Sequence, residues 1–356
     1  MPSNRSILKM KENRVWRLYL GGKLLDELHG RAGAGEDGYF PEDWLASVVD
    51  AINPDRPGKP EREGLSAALL PDGSEAILRD LIEADPAAWL GEPHAARFGT
   101  KLGVLAKFLD SAERLPIQVH PDRETAKTLF RSDFGKTEAW YILAGREIGG
   151  EAPYILMGFQ EEVTPARLRA RFEAQDIAGM AALMHKIPVR PGEVYLIEGG
   201  MPHAIGPGCL LLEIQEPTDY TISLETHDSA GNEVPPRLVH QGVGFERMFD
   251  CFHYRTQSPS ALLAAVSPAP RALAPGYEEL ISYDRTPCFS LRRRTVTSSA
   301  AVPASDTPYV LALTKGEGLL DGRPVRRGDC FFVPPGISYT LSGGLEALEC
   351  WPPKSR

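Results

Sequence analysis

Two short stretches of the sequence decide its fold: residues 115–122, LPIQVHPD, and residues 192–203, GEVYLIEGGMPH. In the first stretch, Gln118 and His120 alternate with apolar neighbours. In the second, an apolar run of strand length leads through a glycine turn to His203. Because alternate side chains of a strand point to the same face, Gln118 and His120 share one face. The pattern predicts strands that carry polar side chains on one face of a buried sheet.

A third stretch, residues 138–145, EAWYILAG, begins with the carboxylate of Glu138, continues as a strand and ends at a glycine turn. Together with Gln118, His120 and His203, it supplies one carboxylate, one amide oxygen and two imidazoles. Such a mixed nitrogen and oxygen set suits Zn²⁺, Mn²⁺ or Fe²⁺ and leaves a coordination position for water or substrate. These four residues are therefore candidates for a metal site.

The rest of the chain is divided by 31 prolines and 34 glycines into short apolar runs, which is typical of many short antiparallel strands. We predict strands at residues 14–20, 103–110, 117–120, 139–143, 193–197 and 210–215. Apolar residues at helical spacing predict three helices, at residues 41–52, 75–84 and 164–184, the last with Thr164 as its N-cap.

A stretch rich in Ala, Pro and Ser, residues 257–277, is the best candidate for a domain connection. Residues 191–197, PGEVYLI, resemble residues 327–333, RGDCFFV, in pattern, and two β-barrels of one type would explain that similarity. We predict a metal-binding unit at residues 1–256, and a linker with a second barrel at residues 257–356. The second barrel contains no histidine, so we expect it to be metal-free, to pack on the first and to shape one wall of the cleft.

Composition limits the possible partners. Lys+Arg 39 against Asp+Glu 48 gives a formal charge of −9, and no stretch is dense in basic residues, which argues against nucleic acid and anionic membrane surfaces. No apolar run approaches the roughly 18–20 residues of a membrane span, and the first residues lack a signal-peptide core. The five scattered cysteines predict reduced thiols, as in a cytoplasmic protein.

The spacing of the ligand candidates resembles the paired motifs of the cupins: Q-x-H at 118–120 with E-x₆-G at 138–145, and G-x₅-E-x-G-x₂-H at 192–203. The flanking sequences GKTEAWY, residues 135–141, and HAIGPG, residues 203–208, are similar to those of the type I mannose-6-phosphate isomerase family. The resemblance extends in order from about Trp16 to Asp250.

This resemblance implies a mostly β protein with two cupin-type, jelly-roll β-barrels and a few added helices in its N-terminal part. It implies one zinc ion per chain, held by Gln118, His120, Glu138 and His203. The implied reaction is the interconversion of an aldose phosphate and a ketose phosphate, mannose 6-phosphate and fructose 6-phosphate, by proton transfer between C1 and C2 through an enediol. The expected partner is a small-molecule sugar or sugar phosphate.

The family pattern also places Lys107, Lys136 and Glu213 near the metal as catalytic candidates. Lys136 lies two residues before Glu138, and Glu213 lies in the apolar strand LLEIQ. A buried amine or carboxylate without a partner is costly, so each is expected to face a polar cavity. Either Lys136 or Glu213 could be the base. A structural ion pair between Lys107 and Glu213 is the alternative interpretation of those two residues.

Two positions depart from the family pattern. Pro116 stands where the family has a serine, and Ser223 stands where it has an arginine near the reacting carbons. Serine has neither the charge nor the fork of donors of arginine, so other cations would have to hold an anion. The family pattern puts only Lys107 and Lys136 in the pocket, although Arg237 or Arg247 could fold over it. Two alternatives therefore stay open: a metal-dependent isomerase or epimerase of a different sugar, for instance an unphosphorylated or differently substituted one, and a non-catalytic sugar-binding regulatory cupin.

Overall fold

β-Strands dominate the computed structural model, which describes residues 6–31 and 35–355. About 34% of the chain is strand and 20% is helix, so the prediction of a mostly β protein with a few helices is confirmed. None of the sheets formed by the described residues closes on itself. The more detailed prediction, two jelly-roll barrels, therefore stays a proposal.

The first fourteen strands are β1 (Leu8–Met10), β2 (Arg14–Val15), β3 (Glu42–Leu45), β4 (Ala67–Leu69), β5 (Glu75–Ile77), β6 (Leu105–Asp110), β7 (Gln118–Val119), β8 (Glu138–Gly145), β9 (Tyr154–Phe159), β10 (Met184–Pro188), β11 (Val194–Ile197), β12 (His203–Ile205), β13 (Cys209–Gln215) and β14 (Ile222–Ser223). The later strands are β15 (Arg271–Ala274), β16 (Tyr277–Ile281), β17 (Ser290–Val296), β18 (Ser299–Val302), β19 (Tyr309–Leu320), β20 (Arg323–Arg326), β21 (Cys330–Val333) and β22 (Tyr339–Trp351).

The α-helices are α1 (Lys23–Leu28), α2 (Leu78–Ala84), α3 (Pro86–Leu90), α4 (Glu92–Phe98), α5 (Arg123–Thr125), α6 (Pro165–Glu173), α7 (Ile177–Ala181), α8 (Pro236–His240), α9 (Gly244–Arg247) and α10 (Pro259–Val266). A π-helical turn follows α5 at Ala126–Phe130, and a 3₁₀ turn follows α9 at Met248–Cys251.

Three sheets organise these strands. A six-stranded sheet has the order β11-β8-β13-β6-β3-β2, and a five-stranded sheet has the order β10-β9-β12-β7-β14. From β6 to β14 the chain passes repeatedly from one of these sheets to the other, and buried apolar side chains of both share one core cluster, Trp140 and Leu211 with Ile155, Met157 and Ile205. The two sheets therefore pack face to face.

The third sheet has eleven strands and contains β15 to β22 together with the N-terminal strands β1, β4 and β5. It packs on the other face of the six-stranded sheet, where Phe108, Tyr141 and Leu212 share a core cluster with Phe289 and Phe332. Because β1 pairs with both β21 and β4, this sheet draws on both predicted segments. The division at residues 256 and 257 itself stays a prediction.

The helix predicted at residues 41–52 is wrong. Residues Glu42–Leu45 form β3, which lies between β2 and β6, and all four residues are buried. Ala46 follows with a φ of 48°, a left-handed conformation that ends the strand. A short apolar run has the same composition in a buried strand and in a helix, so spacing alone did not distinguish them.

The other two predicted helices are partly confirmed. Residues 75–84 begin as the strand β5 and become helical at Leu78. Thr164 caps α6 as predicted, since its Oγ1 accepts a hydrogen bond of 3.2 Å from the backbone N–H of Arg167. The helix then ends before Gln175, which has a φ of 46°, and the stretch continues as α7 and β10.

The five cysteines are all buried and free of disulfides, as predicted. Within residues 6–31 and 35–355, no helix has both the length and the apolar character needed to cross a membrane.

Candidate metal centre

The four ligand candidates meet between the two facing sheets. Gln118 on β7 lies directly opposite His203 on β12 in the five-stranded sheet, and His120 follows β7 immediately. Glu138 begins β8 in the six-stranded sheet and approaches from the other side. His120, Glu138 and His203 are at most 1% exposed. The structure thus places every candidate at one point, although the four come from three separate strands.

Three of the candidate residues form a tight triangle, to which Glu138 contributes both carboxylate oxygens. Nε2 of His120 lies 3.2 Å from Nε2 of His203 and 3.2 Å from Oε2 of Glu138, and Nε2 of His203 lies 3.4 Å from Oε1 of Glu138. Two atoms that each lie about 2.0–2.1 Å from one tetrahedral ion are about 3.3 Å apart, so these separations fit a single zinc ion.

The two imidazoles are oriented for coordination. Nδ1 of His120 lies 2.8 Å from the carbonyl oxygen of Tyr220, and Nδ1 of His203 lies 2.8 Å from that of Met201. A carbonyl can only accept, so each Nδ1 carries the proton and each Nε2 presents its lone pair. Burial lowers the pKa of His120 to about 3, helped by the nearby ammonium of Lys136, and burial also lowers the pKa of His203. Both rings are therefore neutral ligands at physiological pH.

Glu138 supplies the negative charge of the triangle. Burial raises its pKa, but nearby positive charge, first of all that of the Lys136 ammonium, outweighs burial and holds the pKa well below its ordinary value. Oε1 of Glu138 is buried and has no hydrogen-bond partner. A buried carboxylate oxygen without a partner is costly unless a cation compensates it. This orphaned oxygen, beside two converging Nε2 lone pairs, fits a bound metal ion.

Gln118 reaches the same point with its amide group. Its Nε2 lies 3.4 Å from Nε2 of His203. A half-turn about the last side-chain bond exchanges the amide nitrogen and oxygen. The oxygen is then able to face the triangle, so the residue fits the fourth ligand position.

The predicted catalytic residues lie beside the triangle. Nζ of Lys136 is 2.7 Å from Oε2 of Glu138 and 4.0 Å from Oε1 of Glu213. Glu213 on β13 lies directly opposite Lys107 on β6, and their charged atoms are 3.1 Å apart. The ion pair expected under the structural interpretation is therefore present, and both side chains also line a cavity.

Burial and neighbouring charges shift the pKa values of Glu213 and Lys107. Burial, and then the charge of Glu138, raise the pKa of Glu213 above its ordinary value. Burial lowers the pKa of Lys107, but Glu213 and Glu42 outweigh it and raise the pKa overall. Trp140 donates its indole N–H to Oε2 of Glu213 at 3.2 Å, which fixes the carboxyl plane. Oε1 of Glu213 is the oxygen that forms the ion pair with Lys107.

A cavity of about 220 Å³ opens over Gln118, Lys136 and Glu213. Its walls carry four cationic side chains: Arg17, Lys107, Arg114 and Lys136. They also carry six carboxylates: Glu42, Glu113, Glu213, Asp219, Glu225 and Asp228. The described residues that line it lie between 17 and 241, so the expectation that the C-terminal unit shapes a wall is wrong. The eleven-stranded sheet covers the opposite face of the six-stranded sheet, away from the ligands.

Two cavity cations were missed in the sequence. Arg17 follows β2, and its guanidinium pairs with Asp219 and Glu42. Arg114 pairs with Glu225 through both of its terminal nitrogens, at 2.6 and 3.0 Å. The sequence carried no local signal for these pairs, because each joins residues distant in the chain.

The expectation for Arg237 and Arg247 is wrong: neither lines the cavity. Both are exposed, and Arg247 lies 3.8 Å from Asp250 beside it in the same segment. Water can solvate each of these side chains at the surface, so no interaction in the described structure holds either one over the cavity.

The family model described as phosphomannose isomerase type I, catalytic domain, matches residues 67–139. The chain is 27% identical over 304 residues to a mannose-6-phosphate isomerase of Streptococcus mutans, covering 83% of this chain and 89% of that protein. It is 25% identical over 292 residues to mannose-6-phosphate isomerase ManA of Bacillus subtilis, covering 78% and 85%. The chain is thus similar to mannose-6-phosphate isomerases over most of its length.

Two solved structures of mannose 6-phosphate isomerases share the whole fold. A mannose 6-phosphate isomerase from Bacillus subtilis superposes with a TM-score of 0.73 at 21% identity, covering 97% of this chain and 99% of that one. A zinc-bound mannose 6-phosphate isomerase superposes with a TM-score of 0.73 at 16% identity, covering 98% and 100%. The whole fold of this chain therefore has a counterpart in these solved structures.

The two departures from the type I isomerase pattern lie at the cavity. Pro116 and Ser223 both line it. Ser223 on β14 stands directly opposite Gln118, and its Oγ donates to the carbonyl of Glu225 and accepts from the same residue's N–H, both at 3.0 Å. The hydroxyl is thus engaged in a local turn, close to a ligand candidate.

Proposed function

We propose that this protein is a zinc-dependent isomerase that interconverts mannose 6-phosphate and fructose 6-phosphate through an enediol. The observation that carries the proposal is the triangle of His120, Glu138 and His203, with its orphaned carboxylate oxygen, beside a cavity that Lys136 and Glu213 line. The named functions of the relatives support the same reaction.

Gln118, His120, Glu138 and His203 would hold one zinc ion per chain. When bound, zinc supplies Lewis-acid polarisation of the substrate oxygens and stabilises negative charge that develops on them. The protein side chains then have to bind the sugar, exclude water and move one proton between neighbouring carbons.

Glu213 is the best placed proton carrier. Its carboxyl group lines the cavity and has a raised pKa, whereas Lys136 already donates to Glu138 at 2.7 Å. A general base positioned in this way contributes about 10²–10⁴ in rate. We assign Glu213 as the base, Lys107 as the cation that holds its carboxyl group, and Lys136 as a donor to the substrate oxygens.

The two sheets that carry the ligands support the barrel part of the proposal. Gln118, His120 and His203 belong to one sheet and Glu138 to the other, and the chain crosses between the sheets from strand to strand. We propose that these two sheets are the walls of a jelly-roll barrel and that the eleven-stranded sheet is the second, metal-free barrel. A cytoplasmic location and the division into residues 1–256 and 257–356 belong to the same proposal.

One observation favours a second candidate, an isomerase of an unphosphorylated sugar. Each cavity cation already faces a carboxylate: Arg17 with Asp219, Lys107 with Glu213, Arg114 with Glu225, and Lys136 with Glu138. A phosphate dianion would have to compete with these carboxylates for its cation.

The deciding experiment measures fructose 6-phosphate formation from mannose 6-phosphate by the purified protein, after chelator treatment and after addition of zinc. The proposal predicts turnover that is lost with the chelator and restored by zinc. Parallel assays with mannose test the second candidate. Calorimetric binding of either sugar without turnover would identify a non-catalytic binding protein instead.

A further inference from the structure

The orientation of His120 depends on a backbone group in an irregular segment. Nδ1 of His120 donates to the carbonyl oxygen of Tyr220 at 2.8 Å. Tyr220 lies between β13 and β14, in residues 216–221, which form no helix or strand. Without a regular hydrogen-bond ladder, other contacts have to fix the position of this carbonyl.

Asp219, the residue before Tyr220, provides such a contact. Its Oδ1 and Oδ2 accept from the two terminal nitrogens of Arg17 at 2.8 and 3.0 Å, and Oδ2 also accepts from the backbone N–H of Ile52 at 2.8 Å. The Arg17 and Asp219 side chains are only 11% and 5% exposed. A paired, largely desolvated bidentate contact of this kind is among the stronger and more directional ones in proteins.

Arg17 is itself held rigidly on its other side. Its Nε lies 3.0 Å from Oε2 of Glu42, and its guanidinium lies over the ring of Trp44 at 5.1 Å. Burial lowers the pKa of Arg17, but Asp219 and Glu42 outweigh it and hold the pKa well above its ordinary value, so the guanidinium stays charged. Oε2 of Glu42 also lies 3.4 Å from Nζ of Lys107. One guanidinium therefore joins the Lys107 and Glu213 pair to the segment that orients His120.

We propose that Arg17 is a positioning residue of the metal centre: through Asp219 it fixes the carbonyl of Tyr220, and through that carbonyl it fixes the ring and tautomer of His120. This inference rests on the proposed function only in taking His120 as a ligand. Partners that orient metal-bound histidines typically change metal affinity or activity by about 10–100-fold when they are lost. Loss of the Arg17 contact is expected to fall in that range.

The test compares zinc affinity, measured by chelator competition on the purified chain, among three variants. Arg17→Met removes the contact. Arg17→Met combined with Asp219→Asn removes both charges and so leaves neither one of the pair buried alone. Arg17→Lys retains the charge and one hydrogen bond. We expect the first two variants to bind zinc about tenfold more weakly or worse, and Arg17→Lys to recover part of the loss.

The matched control is Arg56→Met. Arg56 forms an equally buried pair with Glu63, with side chains 15% and 5% exposed, and contacts no ligand of the triangle. We expect it to lower the unfolding temperature without weakening zinc binding. A wild-type zinc affinity in the folded double variant would overturn the proposal, and so would a loss in Arg56→Met as large as that in Arg17→Met.

A second readout needs no metal. In metal-free Lys136→Met, which lacks the ammonium that lies 2.7 Å from Nε2 of His120, ¹⁵N NMR of the histidine rings should show His120 protonated at Nδ1. When Arg17→Met and Asp219→Asn are added to this variant, we expect a mixture of His120 tautomers, while His203, held by Met201, stays unchanged. An unaltered His120 spectrum would overturn the inference. If zinc affinity and this spectrum both change as expected but the wild type does not isomerise mannose 6-phosphate, the proposed function fails and the positioning role stands.

Discussion

The ammonium nitrogen of Lys136 lies 2.7 Å from Nε2 of His120 and 2.7 Å from Oε2 of Glu138. These are two of the atoms that a metal ion would use, so the ammonium and the ion compete for the same lone pairs. With zinc bound, the ammonium would have to turn toward the cavity, where the proposed function places the sugar. Under that proposal, Lys136 would oppose metal binding and serve the substrate.

Lys136→Met is expected to separate these two effects. Removing the competing positive charge should tighten zinc binding, whereas losing the donor to the substrate should lower kcat by about 10²-fold. Chelator competition and steady-state kinetics measure the two quantities on one sample. Lys127→Met, at an exposed lysine, is the control and should change neither. Weaker zinc binding in Lys136→Met would show that the ammonium supports the site.

His120→Ala is expected to abolish zinc binding and activity while most of the fold remains. The eleven-stranded sheet and its core do not involve the metal triangle, so the cost in unfolding free energy should be about 1–3 kcal/mol. Metal analysis and circular dichroism check the two parts. His94→Ala serves as a control, because His94 is equally buried but bonds the carbonyl of Lys101 at 3.0 Å and should retain zinc. If the His120→Ala variant were wholly unfolded, the metal would have a structural rather than a catalytic role.

Glu213→Gln tests the assigned base. The amide retains the shape of the side chain but cannot take a proton, so kcat should fall by about 10²–10⁴ with little change in zinc content. Glu349→Gln is the matched control: Glu349 is fully buried in the eleven-stranded sheet, where it binds Arg294 at 2.8 Å. Nearly normal turnover by Glu213→Gln would show that Glu213 is not the base and would make Lys136 the candidate for that role.

The ligand candidates could be predicted because their signal is local. Alternation places Gln118 and His120 on one face of a strand, and the glycine turn places His203 at the start of the next. The cap of α6 at Thr164 was likewise predictable from adjacent residues. Each of these features depends on a few neighbouring residues, which the sequence displays directly.

The cavity network could not be predicted in the same way. Arg17 and Asp219 are 202 positions apart, and no local pattern links a particular arginine to a particular aspartate over that distance. The position of Glu42 could not be predicted for another reason. Glu42 lies in a run whose apolar spacing indicated a helix, whereas the run pairs with β6 and forms the strand β3. Tertiary pairing decided the structure of that run, and with it the position of a cavity carboxylate.

Asp110 predicts a pH dependence of stability. It is fully buried at the end of β6; Oδ2 accepts from the N–H groups of Gly22 and Leu24 at 2.8 Å, and Oδ1 has no partner. Burial raises the pKa of Asp110 to about 6, although the backbone donors and the Arg146 guanidinium, 3.8 Å away, act to lower it. The folded state therefore binds more protons than the unfolded state between about pH 4 and pH 6, and the carboxyl group's contribution to stability is lost as pH rises through that range.

Asp110→Asn should remove this dependence, because the amide accepts from the same N–H groups without ionising. Relative to wild type, the variant should gain about 1–3 kcal/mol in unfolding free energy between pH 4 and pH 7. Urea unfolding at both values measures the difference, and Asp85→Asn, at an exposed helix cap, is the control. Parallel pH profiles for Asp110→Asn and wild type would contradict the assignment.

Ser223→Arg tests how the cavity handles an anion. Position 223 lies opposite Gln118, and the cavity cations nearby are already paired with carboxylates, Arg114 with Glu225 among them. A new guanidinium there would be free to bind phosphate or a developing oxyanion, and one charge-assisted contact is worth about tenfold or more. We expect kcat/KM for mannose 6-phosphate to rise by about that factor in Ser223→Arg, with little change for mannose. If the wild type turns over mannose 6-phosphate rapidly and Ser223→Arg slows it, an existing residue already performs the role. Arg114 is then the first to replace, because it lines the same wall and its partner Glu225 contacts Ser223 through the backbone.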